Sequence, residues 1–296
     1  MTPTLVCFGE TLWDVLPSGK QPGGAPMNVA VHLRNFGLDS RMISRVGDDD
    51  LGKELLEFIA GKGIPTDTIQ RGHTHLTGVV KANVSDCNEV TYKIVQPVAW
   101  DYIQYDESLA QLLKQADVFI YGSLAARSQP SRDTLYQLLE TAPLKVFDVN
   151  IRPPHYSREV IEYLLAKANI VKMNHHELAE IAAWYGTQTG EAAAMQHLMD
   201  RYSLQSLCVT RGEKGAVLLH QDGFVQQAGF PVTVADTIGS GDAFLAAFLY
   251  KTLQGESAQK TLEFACATGA YVATQRGATP AFSEQTIIGA TQLATP

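Results

Sequence analysis

Four consecutive residues, Gly239, Ser240, Gly241 and Asp242, form the pattern in this chain that most strongly indicates chemistry. The first three carry small side chains or none, so their backbone N–H groups can approach a ligand closely. Apolar residues then recur at helical intervals, which predicts a helix over 240–254. A helix start attracts anions, because its first N–H groups lack partners and its dipole is positive there. A carboxylate there repels phosphate but can deprotonate a hydroxyl, so the pattern suggests phosphoryl transfer to an alcohol.

The structural alternative is a helix start in which Ser240 or Asp242 only satisfies first-turn N–H groups. A short glycine motif decides little alone. Neither the GxxxxGK[ST] phosphate loop nor the GxGxxG turn occurs in the sequence. Their absence excludes the common NTPase and dinucleotide-binding folds but leaves other nucleotide kinases.

A second glycine turn precedes another predicted helix that ends near Gly37. Gly23 and Gly24 permit close backbone approach, and Asn28 offers both a donor and an acceptor, which suits adjacent sugar hydroxyls. Asp14, just after the first strand, could bind two hydroxyls. An ordinary helix start and a solvated loop aspartate are the alternatives.

Polar residues also follow later predicted strands. Arg152 lies beyond a strand end, where its planar guanidinium could meet a phosphate; a surface arginine is the alternative. Asn174 and Glu177 are three residues apart across a strand-to-helix turn, which suits magnesium with intervening waters, and Asn174 can cap the helix at the same time. The adjacent histidines there do not indicate zinc, because Glu180 stands where His176 would need its partner.

The sequence of residues 209–216 predicts a strand followed by a loop that contains two glycines. Gly212 and Gly215 follow Thr210 and allow backbone contact with phosphates. A tight turn between two strands is the alternative.

The elements that must position these residues alternate along the chain. Continuous apolar runs predict strands separated by helices, at 117–122, 144–150, 168–174 and 206–212. This order predicts a doubly wound, mostly parallel α/β sheet with helices on both faces. In such sheets ligands bind beyond the carboxyl ends of the strands.

Further elements are predicted around that repeat. Helices are expected over 50–61 and from 257 to about 275, and a strand over 41–46. Residues 74–98 do not fit the repeat and predict a hairpin with its turn near 85–88, and Asp222–Gly223 predicts a second hairpin.

Length, charge and cysteine usage limit the classes of function. The 296 residues can form one large domain, and the net charge of −8, with no cluster of Lys and Arg, argues against a nucleic-acid partner. No signal peptide and no apolar run of the ~20 residues that span a membrane are found. Four scattered cysteines predict reduced thiols in the cytoplasm, and three of them lie in apolar runs that predict the core.

Taken together, the chain resembles the ribokinase-like carbohydrate kinases, the PfkB family, and is most similar to its fructokinase branch. The resemblance extends from Gly9 to Pro280 and rests on five motifs in order, which are GGAPMNVA (23–30), the NxxE pair (174–177), Thr210 with Gly212 and Gly215, DTIGSGDAF (236–244) and ATGAYVATQRGATPA (267–281). Ser240 stands where alanine is usual.

The resemblance implies a single domain over 1–296, with a small β lid formed by about 11–22 and 72–103 that matches the unusual hairpin. It implies ATP as phosphoryl donor, magnesium as cofactor and, in some members, potassium. It also implies a homodimer paired through the lid. A sugar and ATP are then the expected small-molecule partners.

The resemblance also assigns roles to residues. Asp242 becomes the catalytic base, and Gly239, Ser240 and Gly241 the anion hole. The sugar contacts are Asp14, Gly23, Gly24, Asn28 and Arg152; the ATP contacts are Asn174, Thr210, Gly212, Gly215, Gly241, Gly269 and Gly277; Glu177 binds magnesium through water and Asp236 matches a potassium position.

The implied reaction is transfer of the γ-phosphate of ATP to a primary sugar hydroxyl, most similar to that of fructokinases, from fructose to fructose 6-phosphate. Kinases of 2-keto-3-deoxygluconate or ribose, and a catalytically silent sugar-binding regulator, are the alternatives. One departure bears on the sugar: Trp100 lies in the predicted lid where many fructokinases carry an Ala-Asp pair.

Overall fold

Two β-sheets and their surrounding helices make up the computed structural model, which describes residues 2–16, 19–84, 90–186, 190–221 and 223–294. The strands in these ranges are β1 (Thr4–Phe8), β2 (Leu12–Leu16), β3 (Gly19–Gly23), β4 (Asp39–Gly47), β5 (Ile69–Gly72), β6 (Gly78–Val84), β7 (Val90–Ile94), β8 (Val118–Gly122), β9 (Leu144–Asp148), β10 (Ile170–Asn174), β11 (Ser206–Thr210), β12 (Ala216–His220) and β13 (Gly223–Gln227). The α-helices are α1 (Ala25–Asn35), α2 (Asp50–Gly61), α3 (Glu107–Gln115), α4 (Gln129–Leu139), α5 (Arg158–Lys167), α6 (His175–Ala183), α7 (Glu191–Tyr202), α8 (Ser240–Leu253), α9 (Ala258–Ala273) and α10 (Glu284–Ala294).

The large sheet has nine strands in the order β13-β12-β11-β10-β9-β8-β1-β4-β5. Neighbours from β11 to β5 pair in parallel, and only β12 and β13 are antiparallel additions. Alternate residues of β1 enter two hydrophobic cores, Leu5 and Cys7 in one, Val6 and Phe8 in the other. The first core includes α1, α2, α8 and α9, and the second α3 to α7. The predicted doubly wound, mostly parallel sheet is therefore confirmed.

Local sequence signals predict several element boundaries well. The helix predicted over 50–61 is α2, which begins where the Asp49 side chain accepts a hydrogen bond from the Gly52 N–H at 2.8 Å. The helix predicted over 240–254 is α8, and the next predicted helix is α9. Among the helices that the structure describes, none combines the length and apolarity needed to cross a bilayer.

Both predicted hairpins are present as antiparallel strand pairs. Strand β6 pairs with β7, and β12 with β13. The turn predicted near 85–88 and Asp222 lie outside the described residues. Of the cysteines, Cys7, Cys208 and Cys266 are buried free thiols, as predicted, and Cys87 also lies outside the described residues.

The small sheet has the order β3-β2-β6-β7, and its strands occupy residues 12–16, 19–23, 78–84 and 90–94. The two ranges predicted for the lid are 11–22 and 72–103. The second range extends beyond the strands of the small sheet at both ends. Gly72 ends β5 of the large sheet, and a short 3-10 helix over Ala99–Tyr102 packs against β4 and α4. That the small sheet acts as a lid, and that the chain is one domain, stay predictions.

Trp100 takes part in packing beside the small sheet. Its side chain is fully buried, and the guanidinium of Arg127 lies 3.8 Å from the ring centroid. Arg127 also forms a buried ion pair with Asp101 at 2.7 Å. Its indole Nε1 is buried and has no hydrogen-bond partner among the described residues.

Candidate active site

The predicted catalytic turn lies at the start of α8. Gly239 adopts a φ of 79°, a left-handed conformation that favours glycine, and its backbone packs against Ala278. No side chain caps this helix. The Ser240 N–H donates to the Thr237 carbonyl oxygen at 3.3 Å. The anion-binding capacity expected of a helix start therefore rests on the other first-turn N–H groups, and the absence of a side-chain cap weakens the capping alternative.

Asp242 is half-buried in the first turn of α8, and Asn28 from the first turn of α1 contacts it. The Asn28 side-chain amide donates to Asp242 Oδ2 at 2.8 Å. Burial raises the pKa of Asp242 to about 6, against the effect of the nearby Lys172 ammonium. A carboxylate with such a pKa is suited to act as a general base near neutral pH.

The predicted sugar contacts converge on the same region. Asp14 lies in β2, directly beside Gly23 of β3, where any larger side chain would overlap its carboxylate. Burial raises the pKa of Asp14 to about 6, and the Arg152 guanidinium opposes this. Arg152 also acts electrostatically on Asp242. The structure therefore brings Asp14, Asn28, Arg152 and Asp242 together, with Gly24 as the N-cap of α1.

Among the described residues, unpartnered buried polar atoms also occur in this region. Glu10 Oε2, Asn28 Oδ1 and Ser240 Oγ are buried and have no hydrogen-bond partner. Buried polar atoms are normally paired, and exceptions are often functional. These three atoms fit a site that binds a molecule rich in hydroxyl groups.

The Asn174–Glu177 pair caps α6, as the sequence alternative allowed. Asn174 Oδ1 accepts from the N–H groups of His176 and Glu177, both at 2.9 Å. The Glu177 carboxylate accepts from the N–H groups of Ile151 at 2.8 Å and Asn174 at 2.7 Å. Each Glu177 oxygen accepts one backbone hydrogen bond and keeps a further acceptor site, which is compatible with contact to a metal ion through water.

A cavity of about 670 Å³ opens beside the loop after β11, where phosphate contacts are predicted. Gly212 lines it together with His175, Glu191, Arg211, Glu213, Lys214 and Gln226. Thr210 is the last residue of β11, and Gly215 ends the 3-10 turn that follows. The loop after β11 therefore borders open space of a size that suits a nucleotide.

The two remaining predicted ATP contacts, Gly269 and Gly277, lie near the glycine turn and have different neighbours. A Cβ at Gly269 of α9 would lie 3.2 Å from the Ser240 carbonyl oxygen, so Gly269 lets α9 pack closely on the start of α8. The Gly277 N–H donates to Asp236 Oδ2 at 3.3 Å, and Asp236 Oδ1 accepts from the Ile238 N–H. Both residues thus support the glycine turn at 239–241.

Comparison with known proteins identifies the family to which the chain belongs. The profile described as pfkB family carbohydrate kinase matches residues 5–285. The chain belongs to this family. It is therefore a carbohydrate kinase, a phosphotransferase that acts on a sugar hydroxyl, and the resemblance seen in the sequence is confirmed.

Relatives cover nearly the whole kinase. A probable fructokinase-5 of Arabidopsis thaliana is 30% identical over 95% of this chain and 94% of its own. A fructokinase of Salmonella typhimurium is 29% identical, covering 94% and 95% respectively. Among solved structures, a fructokinase of Xylella fastidiosa with bound ATP superposes with a TM-score of 0.89 at 24% identity, covering 100% of both chains. The last comparison supports the fold.

Two charged groups of the kinase site were not predicted from the sequence. Glu10 lies two residues after the end of β1; it is buried, and burial raises its pKa to about 7. Lys172 lies in β10, where its ammonium donates to both oxygens of the buried Asp148 at 3.0 Å. A Cβ at Gly241 would lie 3.3 Å from that ammonium. The available signals were a carboxylate just after an apolar strand and a lysine inside one.

The pKa of Asp242 predicts how activity depends on pH. Because the base must be ionised, kcat/KM is expected to fall as the pH drops through about 6. Asp14 and Glu10, whose pKa values are raised to about 6 and about 7, take up protons in the same range. Because the predicted role of Asp14 is to bind sugar hydroxyls as a carboxylate, its protonation should make the decline steeper than for one proton.

Steady-state rates measured from pH 5 to pH 8 check this. Enzyme held at each pH and then assayed at pH 7.5 serves as the control for irreversible loss of structure. A profile that stays flat down to pH 5 would contradict the role given to Asp242.

Proposed function

We propose that this kinase transfers the γ-phosphate of ATP to the primary 6-hydroxyl of fructose and forms fructose 6-phosphate. The observation that carries the proposal is Asp242, a carboxylate with a raised pKa at the uncapped start of α8, bonded to Asn28. Relatives named fructokinase, at about 30% identity over nearly the full chain, support fructose as the sugar.

In the proposed reaction, Asp242 accepts the proton of the sugar hydroxyl while that oxygen attacks the γ-phosphorus. The sugar is held by Asp14 and Asn28, with Gly23 and Gly24 allowing close backbone approach, and Arg152 contacts sugar or phosphate. The N–H groups of Gly239, Ser240 and Gly241 face the charge that develops on the transferred group. Such donors contribute about 2.7–4 kcal/mol each in sites of this kind.

ATP is proposed to lie along the loop after β11, contacting Asn174, Thr210, Gly212 and Gly215 beside the cavity, and to extend toward Gly241. Gly269 and Gly277 are also proposed to border the nucleotide, because both support the glycine turn at 239–241. Magnesium bound with the nucleotide would neutralise phosphate charge, and Glu177 would hold its water shell. Asp236 is the proposed potassium position; it is half-buried, with both oxygens accepting backbone hydrogen bonds.

The association and location of the kinase are also proposals. The chain is proposed to form a homodimer through the small sheet, whose outer strands β3 and β7 each leave one edge unpaired in that sheet. It is proposed to act in the cytoplasm on small molecules, without a nucleic-acid or membrane partner. Sedimentation equilibrium distinguishes the dimer from a monomer.

A panel of sugars tests the proposed substrate. ADP release is expected to be fastest with fructose, and slower with ribose and 2-keto-3-deoxygluconate, with and without potassium. The product should be identified as the 6-phosphate by NMR. Faster turnover of another sugar would reassign the substrate within the family, and release with none of them would favour the silent regulator.

A further inference from the structure

One face of α1 carries three polar side chains although most of the helix is buried. Asn28, His32 and Asn35 are spaced by four and three residues and therefore lie along one face. Asn28 reaches Asp242, as described above. His32 Nε2 lies 3.0 Å from the carbonyl oxygen of Ala278, and the Asn35 amide donates to that of Pro280 at 3.0 Å.

A third donor reaches the residue between these two. Lys62, just after α2, donates to the Thr279 carbonyl oxygen at 3.2 Å. Three successive carbonyl groups, at 278, 279 and 280, thus accept from two side chains of α1 and from Lys62 at the C-cap of α2. We call residues 277–280 the C-terminal loop.

The hydrogen bond between His32 and Ala278 has one possible direction, because a carbonyl oxygen can only accept. Burial lowers the pKa of His32 to about 4, and Lys62 contributes in the same direction. The imidazole is therefore neutral near neutral pH, and Nε2 carries the proton that it donates to the Ala278 carbonyl. The ring also stacks on Phe282, with centroids 5.4 Å apart and planes at 17°.

The C-terminal loop in turn supports the glycine turn of the site. A Cβ at Gly239 would lie 2.8 Å from Ala278 Cα, so the two backbones are in direct contact. The Gly277 N–H bonds to Asp236, three residues before Gly239. A shift of the loop would therefore move the turn that faces the phosphates.

We propose that His32, together with Asn35 and Lys62, is a positioning residue for the nucleotide. These side chains hold the C-terminal loop against Gly239, so that the N–H groups at 239–241 keep the orientation that ATP needs. The inference rests on the proposed function, because it takes the 239–241 turn as the phosphate site. The polar face of α1 then has two roles. Asn28 bonds to Asp242, and His32 and Asn35 support the affinity for ATP.

The variant His32→Leu tests the proposal through the KM values for the two substrates. Losing one buried donor is expected to raise KM for ATP about fivefold or more, with KM for fructose changed less than about twofold. His32→Gln, which retains an N–H donor, should restore part of the ATP affinity. Asn35→Ala should raise KM for ATP in the same direction without altering the imidazole.

Ser40→Ala is the matched control. The buried Ser40 hydroxyl donates to the Ala30 carbonyl of α1 at 2.7 Å, away from the C-terminal loop. This variant should lower Tm but leave both KM values unchanged. If His32→Leu does not fold, Asn35→Ala decides the question.

The results separate the two proposals. Unchanged KM for ATP in the folded variants, with only a lower Tm as in Ser40→Ala, would overturn the positioning role while the kinase function stands. If the wild-type protein fails to release ADP with any sugar, the proposed function itself fails.

Discussion

Asp242→Asn is expected to lower kcat by at least about 10²-fold while the sugar and ATP still bind. The amide keeps the size of the carboxylate and can still bond to Asn28, which contacts Oδ2 at 2.8 Å. It cannot accept the proton of the attacking hydroxyl. The loss should therefore appear in kcat, and equilibrium binding of fructose and of ADP, measured by calorimetry, should stay within a few-fold of wild type.

Asp133→Asn is a suitable control for this experiment, because Asp133 is exposed on α4. Its kcat and Tm should match those of the wild type. Near-normal turnover in Asp242→Asn would remove Asp242 from the chemistry, whereas lost binding would assign it to substrate recognition instead.

Lys172→Met is expected to affect both stability and the pH profile. Removing one partner of a buried ion pair leaves Asp148 uncompensated, which costs about 3–5 kcal/mol of unfolding free energy. The Lys172 ammonium also favours the ionised form of Asp242. Its loss should move the acid limb of kcat/KM upward by about one pH unit or more.

Two further variants separate these effects. In Lys172→Met/Asp148→Leu both charges are gone, so most of the stability should return and the shift of the acid limb should be smaller. Lys167→Met is the control. It removes an exposed ion pair in which Lys167 Nζ lies 2.7 Å from Glu140 Oε1, and such a pair contributes about 0–1 kcal/mol to the free energy of unfolding. An acid limb in Lys172→Met that coincides with that of Lys167→Met would show that Lys172 does not act on the base.

The features predicted well from sequence are those set by neighbouring residues. The start of α8 follows from a glycine turn ahead of an apolar helix, and the buried strands follow from continuous apolar runs. The convergence of Asp14, Asn28 and Asp242 needed the resemblance to a family, because Asn28 and Asp242 are 214 positions apart.

The features that were missed depend on tertiary contacts. Lys172 meets Asp148 because β10 pairs with β9 in a register that sets these two residues side by side. No local pattern specifies that register. Trp100 is likewise interpreted differently once its burial against Arg127 is known, and Glu10 becomes notable only because its carboxyl is enclosed.

The crowding of carboxyl groups around the sugar site has a consequence for the ligand-free kinase. Folding raises the pKa of Glu10 from 4.5 to about 7, and those of Asp14 and Asp242 from 3.8 to about 6. Groups with raised values favour the folded chain at low pH, and that contribution disappears as the pH rises through 6 to 7. Burial is the largest cause of all three raised values, so the ionised base that the reaction needs is present where the cost of holding buried charge is greatest. Ionisation of the same few side chains therefore lowers the stability of the folded kinase and makes it ready for catalysis.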